Sequence, residues 1–234
     1  LRILIWLFNR SADRTAGNSK WASSKKRAFD DAASDLMVAV QDGKLEEARA
    51  LIAAGADVNA REPEGRTTIN VAAQNGHTDC LTLLIEAGAE VNSRDRYGNT
   101  PLMLAAHFGF TDCVRVLLDA SADVGWKNNS GRTALMRAVE TSQAECANML
   151  IARRADVNAK DADGATALMY ARNEACVALL IAAGANVLNR DKDGITAIAC
   201  AAKEVNEGGI GLLLAAGADA TGVHIRTLPL TSAR

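Results

Sequence analysis

Aromatic residues are scarce in this chain: Trp, Tyr and Phe make up 4% of its 234 residues, although 49% are hydrophobic. Alanine is abundant instead, and small side chains suit helices that stack closely. Histidine is rarer still, with three copies, His77, His107 and His224. No HExxH pair, Walker loop, GxSxG elbow or EF-hand loop occurs. An isolated imidazole supports neither metal binding nor acid–base catalysis without partners within reach. A catalytic role, a cofactor and a small-molecule substrate are therefore not expected. Long apolar runs are missing as well: Leu1–Phe8 is apolar, but a bilayer span takes about 20 residues. That stretch reads either as the remainder of a signal or insertion segment or as a fragment edge that packs locally onto the first helices of the chain.

Negative charge dominates most of the chain. The formal net charge is −2, but residues 1–30 carry seven Lys/Arg against two Asp, which leaves the rest at −7. An acidic body of that kind argues against a phosphate-backbone binder, so nucleic acid is not an expected partner. Lys25, Lys26 and Arg27 form a short basic cluster, readable as a solvated charge run or as a nuclear address.

What the chain has in quantity is repetition. In 95–124, DRYGNTPLMLAAHFGFTDCVRVLLDASADV, Tyr97 and Gly98 make a turn. Thr100 followed by Pro101 then reads as an N-cap with proline at the first helical position. Gly109 ends that helix, and Thr111 and Asp112 open a second. Helix-terminating positions recur at Gly55, Gly88, Ser121, Arg154, Gly184 and Gly217, at intervals of 33, 33, 33, 30 and 33 residues. A helix pair this short buries too little apolar surface to offset its ordering entropy, so each needs like neighbours.

GRTTINVAAQNGHTDC, GNTPLMLAAHFGFTDC, GRTALMRAVETSQAEC and the GADVN ending at Gly55–Asn59 resemble the ankyrin repeat. The resemblance covers about residues 33–220 and implies an all-α ankyrin-repeat solenoid of about six helix-turn-helix units with short β-hairpin fingers. The expected organisation is a basic leader at 1–32, repeats at 33–60, 61–93, 94–126, 127–159, 160–189 and 190–220, and a tail at 221–234. The first repeat, with Leu36, Val38, Ala39 and Val40 on its first helix, has no turn or Thr-Pro-Leu start, as expected of a terminal unit. Ser142 replaces the inter-helix glycine of the fourth. Arg154, at a terminating glycine position, must turn left-handed or end its helix differently. The fifth repeat lacks three residues around Ala171–Ala175, so its first helix should be a turn short. Gly208, Gly209 and Gly211 weaken the last helix.

Cys80, Cys113, Cys146 and Cys176 hold one equivalent position. Stacked helices sit roughly 8–10 Å apart and a disulfide requires Cα atoms within about 7 Å. With no C-x-x-C pairing, these read as reduced core thiols rather than a zinc or redox cluster, which favours a reducing, cytoplasmic setting. Asp57, Glu90, Asp123, Asp156 and Asp219, with Asn186, read as loop hydrogen-bond acceptors, since one acid per repeat is too sparse to hold a cation.

The resemblance implies that fingers and first helices line a concave binding face. The residue before each turn acid or Asn is basic five times: Arg61, Arg94, Lys127, Lys160 and Arg190, with Arg66 and Arg132 after the turn glycine. One reading is a cation ladder for an acidic extended segment of a partner protein, with Arg96, Tyr97, Asn99, His107 and Phe108 at its centre and Glu64 beside it. The other is that each base pairs with adjacent acids such as Glu62, Glu64, Asp95, Asp161 and Asp163. Function is expected to be that of a scaffold or adaptor for protein partners. The alternatives are a regulatory or targeting arm of a longer protein such as a kinase, and a membrane-anchored adaptor.

Overall fold

The computed structural model describes residues 32–204 and 206–219. The expectations for Leu1–Phe8, for Lys25–Arg27 and for the tail lie outside the described residues. Ala32, assigned to the leader, is already helical and buried.

Helices succeed one another in pairs. They are α1 (32–41) with α2 (Leu45–Ala53), α3 (Thr68–Asn75) with α4 (Thr78–Glu86), α5 (Pro101–Phe108) with α6 (Thr111–Asp119), α7 (Ala134–Glu140) with α8 (Ala144–Ala152), α9 (Ala167–Tyr170) with α10 (Glu174–Ala182), and α11 (Ala197–Lys203) with α12 (Glu207–Ala215). The chain forms two compact units. Described residues up to Ala105 with Phe110–Asp123 make one; Ala106–Gly109 with described residues from Val124 onward make the other. In the first unit α2, α4 and α6 pack in series. In the second, α7, α9 and α11 form one rank and α8, α10 and α12 another.

The starts of the first helices are set by threonine. Thr67, Thr133, Thr166 and Thr196 hold extended backbone before α3, α7, α9 and α11. The hydroxyls of Thr100 and Thr133 accept from the Met103 and Met136 amides at 3.3 Å. These bonds satisfy amide donors that the first helical turn leaves without an intrahelical acceptor. Between the helices of a pair the backbone must turn left-handed, and Gly76 does so at φ 74°. A Cβ there would stand 2.6 Å from the Phe110 ring, so the site also demands glycine for space. Ser142 (φ 63°), Ser121 (φ 63°) and Arg154 (φ 64°) adopt the same conformation without glycine. The expected conformation of Arg154 is therefore met at a strain of about 1 kcal/mol.

The shared faces of the hairpins are apolar. Cys80, Leu81 and Leu84, then Cys113, Val114 and Leu117, lie buried in the first unit; Cys146, Ala147 and Leu150, then Cys176, Val177 and Leu180, do so in the second. All four cysteines are free thiols, and burial pushes those of Cys146 and Cys176 up to about 11. In the first hairpin Leu36, Ala39 and Val40 are buried, whereas Val38 is 55% exposed and does not join the core.

The loss of three residues in the fifth repeat shows directly. Helix α9 has 4 residues where α5 has 8. Asn173 then restarts the chain, its side-chain oxygen accepting from the Cys176 amide at 2.8 Å to open α10. The glycines of the last helix lie within α12, whose start Asn206 caps through the Gly209 amide at 2.9 Å.

Candidate functional site

The loops before α5, α7, α9 and α11 share one construction. Asp95 Oδ1 accepts from the Tyr97 and Asn99 amides at 2.9 and 2.8 Å. Asn128 does the same for Ser130 and Arg132, Asp161 for Asp163 and Ala165, and Asp191 for Asp193 and Ile195. A short side chain with an oxygen on Cγ is what this turn needs, which is why Asn128 serves as well as aspartate. Glu62 is one methylene too long and instead pairs with Arg66. Pairing across such loops takes the form of isolated antiparallel bridges, Arg61 with Thr67, Lys160 with Thr166 and Arg190 with Thr196. The described residues contain no strand ladder, so the β-hairpin fingers are reduced to single bridges.

With the turn acids accepting from their own amides, the bases beside them look elsewhere. Arg61 donates through Nη1 to the carbonyls of Gly65 and Arg94, at 2.9 and 2.7 Å. Lys127 donates to the Lys160 carbonyl at 2.7 Å, and Lys160 to that of Arg190 at 3.3 Å. Arg190 donates to the Gly194 carbonyl at 3.1 Å. Arg61, Lys127, Lys160 and Arg190 thus brace the backbone of their own or the next loop, and Arg61 also comes within 3.6 Å of Glu90; pairing with acids close by falls to Arg66, with Glu62 and Glu64, and to Arg132, within 4.0 Å of Asp161. All five ladder residues, Arg94 included, are exposed.

Arg66 and Arg132 do not extend the ladder, because both turn inward. Arg66 bonds Glu62 and reaches Gln74 Oε1 at 3.2 Å. Arg132 bonds Glu140 Oε1 at 2.8 Å and lies over the Tyr170 ring, 4.5 Å from its centroid. Around it the second unit gathers a polar group that sequence reasoning missed. Arg137 bonds Glu140 Oε2 at 2.5 Å, and Tyr170 donates to Asp161 Oδ2 at 2.5 Å. Burial, then the bond to Asp161, pushes the Tyr170 phenol up to about 12. A signal existed: Arg66 with Gln74 and Arg132 with Glu140 share one spacing, 8 residues.

His107 stands at the Gln74 and Glu140 position and belongs to this second group. Its carbonyl accepts from Thr141 Oγ1 at 2.6 Å, while its Nδ1 is buried with no partner. Burial and the positive charge of Arg137 push its pKa below the ordinary imidazole value. The local sequence offers it no carboxylate; Glu140 supplies one from the next hairpin. Its ring meets Phe108 edge-on at 4.9 Å, and Phe108 is 45% exposed.

In the first unit Arg96 lies over the Tyr97 ring at 4.7 Å and donates to its hydroxyl at 2.5 Å. Glu64 comes within 3.6 Å of Arg96. Tyr97 is 55% exposed, a large ring left in water with a cation on its face. Asn99 donates through its amide group to Asp95 Oδ2 at 3.1 Å.

The family model for ankyrin repeats matches in three copies, over residues 36–126, 88–161 and 154–222. The chain therefore belongs to the ankyrin-repeat family, with an all-α repeat fold. Ankyrin repeats are protein–protein interaction modules, and the family is typically non-catalytic. No curated protein matches the chain as a relative. Among the described residues no helix is long and apolar enough to cross a membrane.

Proposed function

We propose that this chain is a scaffold or adaptor that holds an acidic segment of a partner protein against its loops and first helices. The observation that carries this reading is the exposed Arg96–Tyr97 pair beside Glu64. An aromatic face paired with a guanidinium offers apolar area and charge at low entropic cost, the composition that dominates binding hot spots. In the second unit Phe108 and His107 offer a similar combination beside Arg137. The ladder cations add to it: Arg61, Lys127, Lys160 and Arg190 spend donors on carbonyls, and a guanidinium has five donors and an ammonium three. Exposure of Arg61, Arg94, Lys127, Lys160 and Arg190 supports a role in steering an acidic partner.

The test is affinity capture with the full chain as bait, against the double variant Arg96→Ala/Tyr97→Ala. Capture should fall by about tenfold or more, as for loss of a hot-spot pair. Capture within twofold of wild type would overturn the reading. Charge reversal of Arg61, Arg94 and Lys127 is a poorer first test than sequence alone suggests, because Arg61 and Lys127 also brace neighbouring loops.

A further inference from the structure

In the second unit α11 packs on α9 and α12 on α10, and the opposite side of this last pair is open. On α7, Met136 and Val139 are buried; their counterparts on α11, Ala199 and Ala202, are half-buried. On α8, Ala147 is buried where Ile210 of α12 is half-buried. Leu214 is 47% exposed, whereas Ile151 and Ile181 at the same position of α8 and α10 are half-buried. What the inner pairs shield by receiving the next pair, α11 and α12 leave to water.

The loop before α11 differs in the same direction. Asn158 reaches forward to bond the Gly184 carbonyl and the Asn186 amide of the next loop, and Arg132 reaches forward over the Tyr170 ring of the next pair. At those two positions before α11 stand Leu188 and Ile195, both exposed. Positions that contact the next pair as polar groups elsewhere are apolar here. Exposed apolar side chains gathered on one open face mark a contact surface.

The segment 221–234, TGVHIRTLPLTSAR, fits that surface. It carries Val223, Ile225, Leu228 and Leu230 and no acid. Pro229-Leu230 with Ala233 repeats Pro101-Leu102 with Ala105, and Pro229 follows Gly217 by 12 residues where Pro101 follows Gly88 by 13. Arg226 and Arg234 complement a last repeat, 190–219, that is net −2, with five acids against three bases. The segment begins two residues past Asp219, beside the face it would cover. A tether that short gives an effective concentration on the order of mM, which a second copy of the chain in dilute solution does not match.

We propose that residues 221–234 pack as the next layer on the open face of α11 and α12, with Leu230 and Ala233 set against Ala199 and Ala202. This contact is independent of the surface around Arg96 and Tyr97.

The test is NMR of the full chain labelled at alanine, isoleucine and leucine methyls. Nuclear Overhauser contacts from Leu230 to Ala199 or Ala202 are expected, with relative intensities that do not change on dilution. Leu230→Asp should shift the Ala199 and Ala202 methyls and speed amide exchange in α11 and α12 by about tenfold or more, leaving α4 and α6 as they were. Absence of those contacts in the wild-type chain, or exchange in α11 and α12 of folded Leu230→Asp within about twofold of wild type, would overturn the proposal. So would contacts that weaken on dilution or arise between differently labelled chains, the mark of a second copy on this face. The contacts in the wild-type chain decide it should the variant not fold.

Discussion

Arg61 and Arg94 stand 33 residues apart, and the guanidinium of the first donates to the backbone carbonyl of the second at 2.7 Å. One repeat thus reads the position of the next through a charged side chain, and Lys127 does the same at Lys160. Arg61→Ala should lower stability by about 1 kcal/mol, since the bond is charge-assisted but exposed. Urea unfolding measures it; no change in midpoint would mean the brace contributes nothing in water.

The fold is legible in the sequence because period and turn chemistry repeat independently, from Thr100-Pro101 to the terminating glycines. The ladder is not, because adjacency along the chain suggests acid partners where Arg61, Lys127 and Lys160 use backbone carbonyls. Asp161 accepts from amides of its own turn, and Lys160 beside it reaches the Arg190 carbonyl one repeat away. The polar group around Arg132 is hidden because Glu140 and Tyr170 come from two successive hairpins.

Tyr170 holds a proton for the buried Asp161 carboxylate. Its phenol ordinarily titrates at 10 and is pushed up to about 12 here, so the folded state favours the neutral ring. The stability this contributes is complete below pH 10 and is lost as pH rises from 10 through about 12. Tyr170→Phe should cost about 1–2 kcal/mol at neutral pH and flatten that alkaline decline. Urea unfolding at a series of pH values checks both; an unchanged alkaline slope in the variant would show that Tyr170 is not its source.

His107 carries the opposite sign. Burial and Arg137 depress its pKa below 6.5, so the neutral ring is favoured in the fold. Its contribution to stability is present above pH 6.5 and is lost as pH falls through the lower folded value. His107→Gln, the residue of the equivalent position at Gln74, should reduce the acid sensitivity. NMR titration of the imidazole should give a midpoint below 6.5; a midpoint at or above it contradicts this.

The glycines of α12 differ in what surrounds them. A Cβ at Gly211 meets nothing within 4 Å, whereas one at Gly208 meets the end of the Glu174 side chain and one at Gly209 meets Asn206, the helix cap. Gly211→Ala should therefore stabilise by about 1 kcal/mol. Gly208→Ala should gain less, and Gly209→Ala should destabilise. Thermal unfolding orders the three; a Gly209→Ala variant as stable as Gly211→Ala would contradict the packing described.

Hydrogen exchange of the full chain, alone and with its captured partner, tests the central claim most directly. Alone, exchange should be slowest through α3–α6 and fastest beyond Ala171, where α9 is short and α12 glycine-rich, because stability in repeat arrays sums locally. With the partner, added protection should fall on the loop at Arg96 and Tyr97 and on Phe108 and Arg137. Added protection confined to the second helices of the pairs, α4, α6, α8 and α10, would contradict the claim.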